Sequence, residues 1–116
     1  MKAQRMARLD HEIQRAVAKI IAEDVKDPRM GFVTVTRCEI TTDMKECKVF
    51  VSVIGDRHVA GQSLEALRHA ARFIRGELGS AIDLRHTPHL TFVEDRTTER
   101  AIALSKTLDS VKVVDE

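Results

Sequence analysis

The chain predicts an α+β fold in which helices cover one face of a three-stranded sheet. Three observations carry that reading. Apolar residues recur at spacings of three and four in residues 3–25 and again from residue 64 to 81. They alternate in residues 46–54, the pattern of a half-buried strand. Two further β-rich segments, 31–40 and 89–94, complete the order α-β-β-α(α)-β. A hairpin, then helices, then one more strand fits a two-layer sandwich. At 116 residues the chain is one domain, 1–116, large enough to fold on its own core.

Each element has a local cause. In the first helix Met6, Leu9, Ile13, Ala16, Val17, Ile20 and Ile21 form an apolar stripe. It must end before Pro28, because a proline disfavours helical geometry in the residue before it. Asp27-Pro28-Arg29-Met30-Gly31 reads as a turn in which Asp27 bonds nearby backbone N–H groups. In the first strand the apolar phase slips from Val33 and Val35 to Cys38 and Ile40, which predicts a bulge near Arg37. A loop of about five residues containing Asp43 leads to the second strand, where Cys47, Val49, Val51 and Val53 alternate with Lys48, Phe50 and Ser52. Residues 55–61 read as a loop and Ser63 as the cap of a second helix with Leu64, Leu67, Ala70, Ala71, Ile74, Leu78 and Ala81 on its apolar face. Gly76 and Gly79 weaken that helix by about 1 kcal/mol each, so it is expected to kink or break. The third strand spans His89 to Glu94 and joins an edge of the hairpin, beside either the first strand or the second. Ile102, Leu104 and Leu108 mark a short, weak last helix, and residues 109–116 an acidic tail that frays.

Composition removes several functional classes. No apolar run is long enough for a membrane helix. The start lacks a secretory apolar region, so a cytoplasmic protein is expected. With no Trp, no Tyr and only four Phe, an RRM-type stacking surface is not expected. Cys38 and Cys47 lie symmetrically about the turn and would face each other across the hairpin. In a cytosolic chain two buried thiols, not a disulfide, are the expectation. No nucleophile elbow, Walker loop or dinucleotide glycine pattern is present, so an enzyme has little support. His86, His89 and Glu94 are a weak metal set, better read as turn and strand residues; no metal or cofactor is expected.

Charge is informative once it is divided along the chain. The total is +1, but residues 1–20 carry five Lys or Arg against two acids, and residues 94–116 carry four against six. Arg5, Arg8, Arg15 and Lys19 fall within roughly 80° on the first helix. They suit the phosphates of a nucleic-acid backbone, or else form a solvated face. Arg68, Arg72 and Arg75 share one side of the second helical segment with little acid nearby, and Arg85 follows in the next loop. Their forked guanidinium groups match phosphate.

Several runs together resemble one family. They are Lys26-Asp27-Pro28-Arg29-Met30-Gly31 with Val33-Thr34-Val35-Thr36; Asp43 with Cys47-Lys48-Val49-Phe50-Val51-Ser52-Val53 and Gly55; Phe73-Ile74-Arg75; Leu84-Arg85 with Thr87-Pro88; and Leu90-Thr91-Phe92 with Asp95. In this order, over residues 3–108, they resemble the ribosome-binding factor A family. The resemblance implies a KH-like fold of type II order, α-β-β-α-kink-α-β, with the third strand beside and parallel to the first. It implies an Ala-x-Gly kink in place of the Gly-x-x-Gly nucleotide clamp, at Ala70, Ala71 and Arg72 here, with arginine where the family has glycine. It implies a monomeric, non-enzymatic factor that binds late precursors of the small (30S) ribosomal subunit and their 16S ribosomal RNA. Such a factor aids 5′-end maturation, matters most in the cold, and leaves when a ribosome-associated GTPase acts. The expected RNA contacts are Arg5, Arg8, Arg15, Lys19, Arg68, Arg72, Arg75 and Arg85. The alternative is a module that docks a ribosomal protein or another assembly factor.

Overall fold

The computed structural model describes residues 2–96. Its elements run α1 (Lys2–Asp24), β1 (Phe32–Ile40), β2 (Glu46–Ile54), α2 (Arg57–His69), α3 (Ala71–Ala81) and β3 (His89–Glu94). The sheet order is β1-β2-β3; β1 and β2 are antiparallel, β2 and β3 parallel. The expected last helix and the tail at 109–116 lie outside the described residues.

The helices bury one face of the sheet. Ile13, Val17, Ile20 and Ile21 of α1, Leu64 and Leu67 of α2, and Ile74 and Leu78 of α3 meet Val35, Cys38, Ile40, Cys47, Val49, Val51 and Phe92. At ~25 cal/mol per Å² of apolar area removed from water, these side chains are the main source of stability.

The bulge falls where the apolar phase slips. Val35 pairs with Val51 but Arg37 with Phe50, so Thr36 is the extra residue. Two carbonyls there, of Val35 and Thr36, accept the Gln14 amide from α1, each at 3.2 Å. The turn chemistry also matches expectation. Asp43 Oδ1 accepts from Thr41 Oγ1 at 2.6 Å and from Lys45 N at 3.0 Å. Asp27 Oδ1 accepts from Arg29 N at 2.9 Å.

Four expectations are corrected. First, β3 lies beside β2, not β1. The outer edge of β1 is already used: Thr41 N donates to Glu46 O on β2, so the neighbouring Ile40 N points away, and it donates to Asp10 of α1 at 2.8 Å. Second, α2 starts at Arg57, not after Ser63. Asp56 is the cap, its carboxylate accepting from Val59 N at 2.9 Å. Ser63 is fully buried and its Oγ accepts from Gly31 N at 2.9 Å. Gly31 must be glycine at that approach, because a Cβ would lie 2.8 Å from Val59 Cγ1. Third, the helix breaks at Ala70 (φ −88°, ψ 0°), while Gly76 and Gly79 lie inside a continuous α3. The break is where the resemblance places the kink. Arg72 sits past it in α3 and has no positive φ, so arginine there is unstrained. Fourth, Cys38 pairs with Val49 and Cys47 with Ile40, so the two thiols are diagonal, not opposite. The five-residue loop sets a register two residues away from the symmetric one. Both cysteines are free and buried.

Candidate nucleic-acid interface

The α1 stripe has the exposure its spacing predicts. Burying Ile13, Val17, Ile20 and Ile21 turns the adjacent face outward, and Arg5, Arg8, Arg15 and Lys19 are all exposed. Among the described residues none of the four has an ion pair or a side-chain hydrogen bond. Arg15 and Lys19 line a groove between α1 and α3, across which stand Glu77 and Ser80, with Glu23 and Asp24 at its end. The field there is mixed, whereas Arg5 and Arg8 lie away from those acids at the N-terminal end of the helix.

The second cluster divides. Arg72 is exposed on α3 and Arg85 on the following loop, neither with a partner among the described residues. Arg68 is exposed with one long hydrogen bond, Nη2 to the Phe92 carbonyl at 3.5 Å. Arg75 is half-buried and donates to the Thr87 carbonyl at 2.8 and 3.2 Å and to the Pro88 carbonyl at 3.2 Å. It is a clamp on the turn that delivers β3. Arg72 and Arg75 flank a shallow surface floored by Gly76 and Gly79. That surface and the groove holding Arg15 and Lys19 lie on opposite flanks of α3, so the predicted contacts form two cationic groups with the α3 ridge between them.

Among the described residues, the ion-paired cations are all ones not chosen from sequence. Arg29 holds Asp27 at 2.9 Å and reaches Glu65 at 3.9 Å, Arg37 meets Glu39 at 3.5 Å, and Arg96 meets Glu94 at 3.3 Å. Hydrogen bonds from Arg29 pull the Asp27 carboxyl down to about 2. Arg37 also lies 4.1 Å above the Phe50 ring, which covers that ring. Cys38 is pushed well above the usual thiol range by its hydrogen bond with Cys47 and by burial, so it stays protonated. Among the described residues no three His, Cys, Asp or Glu side chains gather as a metal site. No described helix is long and apolar enough to cross a membrane.

Composition counted the rings but not their exposure. Phe32 is 81% exposed and Phe73 48%, while Phe92 is buried. The signal was present: Phe32 is out of phase with Val33 and Val35, and Phe73 lies off the apolar stripe that runs through Ile74. Lys26, also overlooked, is exposed on the loop between the two rings.

A comparison with protein-family models matches residues 5–108 to the family described as ribosome-binding factor A. The chain belongs to that family. A ribosome-binding factor A of Desulfitobacterium hafniense (strain DSM 10664 / DCB-2) is 40% identical over 116 residues, all of this chain and 93% of the relative. That of Heliobacterium modesticaldum is 37% identical, again over all of this chain and 96% of the relative. Among solved structures, the crystal structure of ribosome-binding factor A from Thermus thermophilus superposes with a TM-score of 0.70 at 28% identity, covering 79% of this chain and 98% of that one. A homology model of the Thermus thermophilus factor, fitted into the cryo-EM map of a 30S–RbfA complex, has a TM-score of 0.65 at 29% identity, covering 78% and 94%. The ribosome-binding factor A fold is thus the KH-like α+β arrangement seen here.

Proposed function

We propose that the protein is a small-subunit assembly factor that binds 30S precursors through the phosphates of 16S ribosomal RNA. Arg5, Arg8, Arg15 and Lys19 exposed on one face of α1, with no ion pair among the described residues, are the observation that supports it most. Unpaired arginines on a helix face give up little on meeting phosphate, since no internal partner has to be broken. Arg68, Arg72 and Arg85 extend the contact, and recognition runs through phosphates and RNA shape with little base reading. The finer role carried by the family resemblance is a cytoplasmic, monomeric, non-enzymatic factor. It supports 5′-end maturation of 16S RNA, notably in the cold, and is displaced by a ribosome-associated GTPase. Misfolded RNA helices are harder to escape at low temperature, so a factor that stabilises one arrangement helps more there.

Sedimentation in sucrose gradients tests the reading. The tagged protein is expected to co-migrate with free small subunits and not with translating ribosomes. Each phosphate no longer neutralised should lower the salt slope of binding by about 0.7–0.9. The triple variant Arg5→Ala, Arg8→Ala, Arg15→Ala should therefore bind more weakly and with a shallower slope. Normal binding by that variant at moderate salt would overturn the phosphate assignment. Wild-type affinity insensitive to salt would point instead to docking on a protein.

A further inference from the structure

The loop 25–31 carries two apolar grooves, one on each side. One is walled by Phe32 and floored by Ile21, Ala22 and Val25. The other is walled by Phe73 and floored by Val25, Ala66 and Ala70 at the helix break. Val25, Lys26 and Asp27 border both. The two rings are the most exposed of the four phenylalanines: Phe92 is buried in the core and Phe50 lies under Arg37. Nothing local explains the exposure of Phe32. It pairs across the hairpin with Ile54, which is itself 72% exposed, so the ring and its partner form an open apolar corner. The Asp27 carboxylate is matched by Arg29 at 2.9 Å. Asp24 and His69 also line the second groove, and Arg72, with no partner among the described residues, precedes Phe73.

We propose that Phe32 and Phe73 are stacking surfaces for unpaired bases of the ribosomal RNA, with Lys26 between them to meet the connecting phosphate. This rests on the small-subunit reading above and deepens it. The occupant follows from the pairing of features. An aromatic wall over an apolar floor accepts any base, because every base has a π-face, and a cation at the shared rim suits the backbone that joins two bases. An apolar side chain from a ribosomal protein would fit the floor but would need neither the ring nor the lysine.

Binding of dye-labelled protein to purified small subunits, over a salt series, provides the test. Both positions are exposed, so substitutions should leave the thermal midpoint near wild type, which the same samples can verify. Phe32→Ala and Phe73→Ala should each weaken binding roughly 5- to 150-fold, the range seen for loss of one base–aromatic stack, with the salt slope unchanged. Phe→Leu should lose as much as Ala, and Phe→Tyr should stay within about twofold of wild type, because tyrosine stacks and leucine does not. Lys26→Ala should reduce the salt slope by about 0.7–0.9. Retention by leucine would identify an apolar protein side chain as the occupant and overturn the assignment. So would wild-type binding by both alanine variants, or a loss with tyrosine as large as with alanine. Wild-type protein that did not bind subunits at all would remove the small-subunit reading and this one together; wild-type binding with retention by leucine would remove only this one.

Discussion

Arg75 shows how one side chain can be claimed by the fold before it reaches a ligand. Its position seven residues after Arg68 puts it on the expected cationic side, yet its guanidinium is spent on the Thr87 and Pro88 carbonyls. Hydrogen bonds from a charged donor contribute about 1.5–3 kcal/mol, so Arg75→Ala should lower unfolding stability by that amount in urea titration. Loss of subunit binding in that variant would therefore report the fold as much as the interface, and Arg72→Ala is the cleaner probe of a phosphate contact on α3. Asp27 is the titrating counterpart. Its folded pKa is depressed to about 2 from 3.8, mainly by hydrogen bonds from Arg29. A depressed carboxyl stabilises the loop above the unfolded pKa, and that contribution fades as pH falls from about 4 toward 2. An NMR titration should find Asp27 still ionised at about pH 3, with Arg29→Ala returning it toward its ordinary value. Cys38, buried and held protonated beside Cys47, should resist alkylation until the protein is unfolded.

At the scale of elements, the two glycines of α3 make opposed predictions from one propensity. Alanine is favoured over glycine by about 1 kcal/mol in a helix interior. A Cβ at Gly76 meets nothing within 4 Å, whereas one at Gly79 would lie 2.8 Å from Thr87 Oγ1. Gly76→Ala should raise stability by about 0.5–1 kcal/mol, and Gly79→Ala should gain nothing or lose, because Thr87 must move on the turn that Arg75 clamps. Thermal unfolding of the two variants side by side checks this. Local signals located most elements: the stripe of α1, the slip at Thr36, the five-residue turn and the span of β3 were all readable from side-chain period and turn chemistry. The start of α2 was not. Asp56 and Ser63 are both good caps, and nothing local says which serves. The choice falls to Asp56 because Ser63 is needed inside, where its hydroxyl satisfies Gly31 N. Ser63→Ala should therefore remove a fully buried hydroxyl and its hydrogen bond from Gly31 N, costing about 1 kcal/mol, and leave the start of α2 unchanged.

Across the whole molecule, the helical layer lies on one sheet face and holds Arg15 with Lys19, and Arg72, on opposite flanks of α3. Glu23, Asp24 and Glu77 border the groove of Arg15 and Lys19, and none of the three lines the surface beside Arg72. If phosphates are the partner, removing Glu77 by Glu77→Gln should tighten subunit binding at low salt, and the gain should vanish as salt rises, since it is a long-range screened effect. Anisotropy titrations at two salt concentrations would show it. Strand order is also a property of this scale. The β2-α2-α3-β3 path returns β3 parallel to β2, on the edge away from β1, while Asp10 accepts from Ile40 N on the outer edge of β1. Asp10→Ala would free that edge group and should cost about 1–3 kcal/mol without changing the order, because α2 and α3 still span β2 and β3.

The α+β class, the three strands, the core face of each helix and most of the exposed cations on the helices were legible from the residues alone, because these depend on period and charge along one segment. Only packing settled which edge β3 takes, that Arg75 serves the fold, that α3 separates the two cationic groups, and that Phe32 and Phe73 border the grooves on either side of one lysine-bearing loop. Those outcomes require residues distant in the chain to compete for the same backbone group or to share the same surface, and no local pattern records who wins.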